Sequence, residues 1–155
     1  MNTVILGLGS NIVPEQNLPK ALQQLSRFVK IDAVSSLWET AAIGSNGPAF
    51  LNAAASVRTE FDAAYLKTKI LGEIETSLGR VRVADKNAPR TIDLDILVFN
   101  QTIFDQNIFS LDHLILPLAE LVPDLRDAQS EKTLAELACE HCCKPTAVKV
   151  GKLVY

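Results

Sequence analysis

Three arginines and two aspartates, Arg80, Arg82, Arg90, Asp93 and Asp95, stand close together in this chain and carry its clearest chemical potential. The run Pro89-Arg90-Thr91-Ile92-Asp93-Leu94-Asp95-Ile96-Leu97 alternates polar with apolar residues, the period of a strand buried on one face. On a strand Asp93 and Asp95 share a face, with α-carbons about 6.5–7 Å apart, while Ile92, Leu94 and Ile96 point into the core. Two carboxylates so placed suit Mg²⁺, which takes oxygen ligands and commonly combines one or two carboxylates with substrate phosphates. Arginine presents a planar fork that matches phosphate oxygens. The five residues together describe a Mg²⁺–polyphosphate site without a phosphate-cradling glycine loop. A plainer reading stays open: two surface charges on a solvated strand face, and arginines in a salt-bridge cluster that neutralises itself.

Three other stretches carry reactive or recognising groups. Gly7-Leu8-Gly9-Ser10-Asn11-Ile12 follows a short apolar run and reads as the turn that ends a strand. Ile12 stands where a dinucleotide fingerprint needs its third glycine, and the Lys-Ser/Thr ending of a P-loop is missing. Trp38 to Gly44 leads through a loop to Phe50-Leu51-Asn52. An exposed aromatic beside an amide suits a flat heterocycle, the ring stacking and the amide reading its edge; the alternative puts Phe50 in the core and Asn52 in a turn. Cys139-Glu140-His141-Cys142-Cys143 groups four soft-metal ligands, but the spacing matches no common zinc pattern. It reads as a helix end with partly buried thiols.

The elements that must hold these residues follow from periodicity. Val4-Ile5-Leu6 begins a short buried strand. Leu18, Leu22, Leu25 and Val29 give a helix its apolar stripe, with Pro19 early in it, where a missing N–H does least harm. Residues 31–40 and 50–60 read as strands, joined by a loop over 41–48. Asp62 is a plausible N-cap for a helix with Leu66, Ile70, Ile74 and Leu78 at intervals of four, and Gly79 ends it. A polar loop over 80–89 leads to a strand over 91–99. Beyond Asn100 the pattern is less regular. Thr133 and Glu136 have capping-box spacing before a short helix containing Leu137, and 147–155 reads as a closing strand. The order βαββαβ predicts an α+β, ferredoxin-like antiparallel sheet with helices on one face and a C-terminal extension.

Composition bounds the rest. The chain has 155 residues, which fits a single domain over 1–155. Apolar residues make up 48%, enough for a substantial core. A formal net charge of −3 gives no bulk attraction to nucleic acid or an anionic membrane. No segment approaches the roughly 18 apolar residues of a membrane span, and the N-terminal apolar run is too short for a signal peptide. Three clustered cysteines make a poor disulfide framework. The expectation is a cytoplasmic protein with reduced thiols, acting as a monomer.

Taken together, the stretches Gly7–Asn11, Glu39–Asn52, Ile74–Arg82 and Pro89–Leu97 resemble the 6-hydroxymethyl-7,8-dihydropterin pyrophosphokinase family, in the same order and over roughly the first hundred residues. Pro-Arg-Thr-x-Asp-Leu-Asp-Ile is the specific motif, and the other stretches support it. The resemblance implies transfer of pyrophosphate from ATP to the hydroxymethyl group of the reduced pterin in folate biosynthesis, releasing AMP. It implies that Asp93 and Asp95 bind Mg²⁺, as two ions, and that Arg80, Arg82 and Arg90 hold ATP phosphates, Arg80 and Arg90 acting in the transfer. Glu75 and Ile96 match the nucleotide site. Thr40, Ala41, Ile43, Phe50 and Asn52 match positions around the pterin.

The resemblance weakens after Leu97. The family's Pro-His pair is absent from 104–115, and no lysine or arginine occurs from Leu97 to Leu125. With Pro117-Leu118-Ala119-Glu120-Leu121 as anchor, Leu111 replaces a family arginine. His113 then falls where a second stacking aromatic is expected, with Phe109 as another candidate. Asn87 stands where an active-loop tryptophan is common. These differences imply weakened ATP binding and turnover, or a relative acting on a modified pteridine; the alternatives are a pterin-binding relative with weak or altered catalysis, or a non-catalytic ferredoxin-like module.

Overall fold

The structure is a computed structural model that describes residues 1–42, 44, 46–143 and 147–155. Seven strands form one antiparallel sheet: β1 (Asn2–Ser10), β2 (Lys30–Val34), β3 (Ser36–Thr40), β4 (Phe50–Thr59), β5 (Asp93–Phe99), β6 (Thr102–Ile103) and β7 (Ala147–Lys152). Their spatial order is β6-β5-β1-β4-β3-β7, with β2 also paired to β4. The inner order β5-β1-β4-β3 is the ferredoxin-like arrangement expected from the order of elements.

Helices cover both faces of this sheet, not one. On the first face lie α1 (Pro14–Leu25), α2 (Ala63–Tyr65), a π-helical stretch (Leu66–Leu71) and α3 (Gly72–Ser77). Val4, Leu6 and Leu8 of β1 meet Leu18, Leu22, Leu66 and Ile74 there. On the second face α4 (Asp112–Leu121) and α5 (Leu134–His141) pack over Ile5, Ala54 and Leu97. The reason lies in the strands themselves: Val4 to Leu8 is apolar apart from Gly7 and buried almost throughout, so each face exposes apolar side chains that need a cover. Each fully buried leucine or isoleucine contributes about 1.5–3 kcal/mol.

Several boundaries differ from the periodicity. The glycine stretch is no turn, because β1 continues through Ser10. It is held between β4 and β5, and a Cβ on Gly7 would stand 3.0 Å from Leu97 Cδ1. The expected strand over 31–40 is two strands parted at Ser35, whose N–H bonds Ala54 O while its hydroxyl accepts from Ala54 N, both at 2.9 Å. Pro19 is the sixth residue of α1, which begins at Pro14. The closing strand stops at Lys152. Asp62 does cap its helix, accepting from Tyr65 N at 2.8 Å; Gly79 follows α3 at φ 82°; and Thr133 and Glu136 form the capping box. The thiols of Cys139, Cys142 and Cys143 are exposed rather than partly buried, because α5 buries Leu134 and Leu137 on its other side. No helix among the described residues is long and apolar enough to cross a membrane.

Candidate active site

The register of three strands builds the site floor. Gly9 of β1 lies opposite Asp93 of β5 on one side and Asn52 of β4 on the other, and Gly7 lies opposite Asp95. Trp38 of β3 completes the first row beside Asn52. Asp93 and Asp95 therefore share a sheet face with Gly7, Gly9, Phe50 and Asn52, while Ile92, Leu94 and Ile96 enter the first core. The glycines keep this floor low: a Cβ on Gly9 would stand 3.3 Å from Asn52 Oδ1.

α4 roofs only part of that face, and the remainder is an open cleft of about 330 Å³. Thr40, Ala41, Phe50, Asn52, Arg90, Asp93, Asp95 and His113 all line it. At one end Asn52 is 4% exposed, and its amide donates to Thr40 Oγ1 at 2.8 Å and to Trp38 O at 3.2 Å. Phe50 is half-buried on the cleft wall. Trp38 is not an exposed stacking ring, since it packs on Leu116 and Ala147 and donates to Glu120 at 2.8 Å. Phe109 is also unavailable, being buried in the second core.

At the other end Glu75, Asp93 and Asp95 are each matched by a cation. Arg80 bonds Glu75 at 2.5 Å and Asp93 at 2.6 Å. Arg90 bonds Asp93 at 2.5 Å and also the Lys86 carbonyl. Arg82, 69% exposed, reaches Glu75 at 3.0 Å. Lys67 bonds Asp95 at 2.5 Å. The self-neutralising cluster and the open cleft thus coexist: the charges are paired with one another and Arg90, Asp93 and Asp95 face the cavity. Burial works against the charged form of Arg80, but Asp93 and Glu75 outweigh it and raise its pKa. His113 goes the other way. Burial holds its pKa below 6.5 against the opposing pull of Asp105, Asp93 and Asp112, so the imidazole facing the cleft is neutral at pH 7.

Four of the expected nucleotide residues, Glu75, Arg80, Arg82 and Ile96, do not line this cleft. Glu75 is nearly buried; it accepts from both arginines and from Leu94 N at 2.8 Å. It is joined to the cleft through Arg80, which bonds the cleft residue Asp93 but itself stands back from the lining. Ile96 lines a second, more open groove on the other side of Asp95, together with Lys67, Phe104 and Asp105. Ile43 lies outside the described residues.

Sequence reasoning passed over Lys67, Asn11 and Asp105. Asn11 fixes the loop ahead of β5, accepting from Arg90 N at 2.7 Å and donating to Pro48 O at 3.2 Å. Its signal was its place after the glycine stretch, which a turn reading hid. Asp105 lines both clefts and no motif marked it. Among the described residues no three His, Cys, Asp or Glu side chains come together as a metal centre. The hard oxygens of Asp93 and Asp95 nevertheless fit Mg²⁺, for which two carboxylates beside substrate phosphates are sufficient.

Comparison with known proteins gives the family and the fold. A relative from Aquifex aeolicus, a 2-amino-4-hydroxy-6-hydroxymethyldihydropteridine pyrophosphokinase, is 31% identical over 94% of this chain and 96% of its own. Relatives of the same name from Synechocystis and Helicobacter pylori are 31% and 35% identical, over 86% and 72% of this chain and 73% and 71% of their own. Among solved structures, wild-type Plasmodium falciparum HPPK-DHPS aligns with 99% of this chain at a TM-score of 0.74 and 13% identity, which shows the fold. This chain spans 50% of that longer protein. Residues 5–123 match the 7,8-dihydro-6-hydroxymethylpterin-pyrophosphokinase (HPPK) family, and the chain belongs to that family.

Proposed function

We propose that this protein transfers the β,γ-pyrophosphate of ATP to the hydroxymethyl oxygen of 6-hydroxymethyl-7,8-dihydropterin in folate biosynthesis. The hydroxyl oxygen bonds to the β-phosphorus, the bridge from that phosphorus to the α-phosphate breaks, AMP leaves, and the hydroxyl proton passes to solvent. The reading rests on one observation: Phe50 and Asn52 share a single open cleft and a single sheet face with Asp93 and Asp95. Asn52 and Asp93 are two strand spacings apart, about 9.5 Å. That separation suits a two-ring heterocycle at one end with its hydroxymethyl arm directed to the other.

Each residue then has a task. Phe50 stacks on the pterin, with the neutral His113 as the second surface. Asn52 and Thr40 read the heterocycle's edge, and Ala41 lines the cleft beside them; Ile43 is assigned to the pterin by the family resemblance alone. Arg90 and Arg80 hold and neutralise the transferring phosphates, and Arg82, the most exposed of the three, meets the nucleotide. Glu75 fixes Arg80 and Arg82, and Ile96 gives the nucleotide an apolar contact. Asp93 and Asp95 would hold Mg²⁺, as two ions; the metal supplies Lewis-acid neutralisation of phosphate charge. Positioning and electrostatics dominate such a transfer, and no side chain has to act as a general base. The protein works as a monomer in the cytoplasm.

A second reading, a pterin-binding relative with weak catalysis, draws on the lack of any lysine or arginine from Leu97 to Leu125. Product analysis separates the two. With ATP labelled at the β-phosphorus, the first reading places the label on the pterin and leaves unlabelled AMP. Label remaining in ATP while the pterin binds supports the second, and labelled ADP contradicts both.

A further inference from the structure

Asp93 and Asp95 are held in different ways. Asp93 is clamped by two arginines and is 20% exposed. Asp95 is 51% exposed and is met by an ammonium, Lys67 Nζ, at 2.5 Å. The same ammonium donates to the Leu94 carbonyl at 2.7 Å, so Lys67 bridges from its helix to the backbone of β5. A half-exposed pair of this kind is screened by water and opens readily. Asp95 also stands on the ridge between the two clefts, and Lys67 belongs to the second one, with Ile96 as its apolar neighbour and Asp105 at its edge.

The local backbone puts Lys67 there. Gly72 N–H donates to Lys67 O, five residues back, which widens the helix into the π form over Leu66–Leu71. Such turns recur at functional sites because they re-aim a side chain that an α-helical register would direct elsewhere. The stretch of chain that follows β5 brings no basic residue as far as Leu125. A cation for the second groove therefore comes from the helix, and Lys67 lines it.

We propose that Lys67 is an exchangeable counter-ion: it pairs with Asp95 before metal binds, yields that carboxylate to the divalent cation on loading, and turns its ammonium to a phosphate oxygen of the nucleotide. This rests on the reading above that Asp95 holds the metal. Two opposed effects follow in the Lys67→Met variant. Metal alone binds more tightly, by about 1.5- to 5-fold, because a weak competing ion pair is gone. A non-hydrolysable ATP analogue binds more weakly in the presence of metal, by about tenfold or more, because a charge-assisted contact is lost. The test titrates Mn²⁺ by paramagnetic resonance and the α,β-methylene analogue of ATP by calorimetry. It compares wild type, K67M, K67Q, K67R and D95N, with thermal melts to confirm folding. Both opposed shifts in K67M or K67Q, with K67R keeping analogue affinity within about threefold, support the proposal. Unchanged or weaker Mn²⁺ binding, or unchanged analogue binding, in the folded neutral variants overturns it while the metal assignment stands. If D95N binds Mn²⁺ as wild type does, the metal assignment fails and the proposal with it.

Discussion

Replacing Glu75 by glutamine tests how the guanidinium wall is held. The carboxylate is 3% exposed and accepts from Arg80, Arg82 and Leu94 N. Glutamine keeps the size and one acceptor oxygen, which serves Leu94 N and Arg80 together as Glu75 Oε1 does, but it loses the negative charge and its NH₂ group then faces Arg82, donor against donor. Arg80, only 12% exposed, keeps a neutral acceptor there and has Asp93 alone as its bonded carboxylate. Breaking a buried pair from one side costs about 3–5 kcal/mol. For a chain of this length each kcal/mol lowers Tm by about 2–4 °C, so E75Q is expected to melt about 6–20 °C below wild type. Arg82→Gln supplies the contrast: the same carboxylate loses a partner that is 69% exposed, and an exposed pair contributes about 0–1 kcal/mol. Urea unfolding at neutral pH, with an unchanged m-value, reads both. The reasoning is refuted if E75Q lies within about 1 kcal/mol of wild type, or if R82Q costs as much as E75Q.

Other outcomes follow from the same contacts. Asn52→Leu removes the buried amide that bonds Thr40 and Trp38 and should weaken pterin binding at least about tenfold, read by calorimetry. Gly7→Val pushes methyl groups against Leu97 and should cost about 1–3 kcal/mol in denaturant unfolding. Glu120→Gln weakens the bonds from Ser36 N and Trp38 Nε1, both at 2.9 Å or less, and should lower stability by about 1.5–3 kcal/mol. His113 has a folded pKa below 6.5 because it is half-buried and desolvated. Between that pKa and 6.5 the unfolded chain binds more protons, so stability falls as pH drops from 6.5 through the folded value. In His113→Phe that part of the slope of Tm against pH disappears; an unchanged slope would show that the imidazole does not titrate there.

Part of this molecule is legible because the local signal and the tertiary demand agree. Ile92, Leu94 and Ile96 alternate with Asp93 and Asp95, and the sheet buries the first set and aims the second at the cleft. Asp62, Gly79 and Thr133 carry capping chemistry that tertiary context leaves in place. The glycine stretch misleads because its strand conformation comes from two neighbours far away in sequence. α4 is hidden by Pro117 within it and by the run Leu114 to Leu118, which shows no polar face. It needs none, being wedged between the sheet and α5. Missing α4 conceals why helices cover both faces and why His113 meets the cleft. Lys67 is hidden for a different reason: an α-helical period over Leu66, Ile70, Ile74 and Leu78 cannot foresee the π turn that brings it to Asp95.

The proposed function has the β5 aspartates and the arginines behind them carry out pyrophosphate transfer on a pterin seated at Phe50 and Asn52. Its most direct test is the rate of pterin-dependent AMP formation from ATP and Mg²⁺, measured for wild type, D93N and D95N. The expected result is AMP from wild type and a fall of about a hundredfold or more in each variant. Absence of AMP from folded wild type, or AMP formed equally by all three proteins, would contradict it.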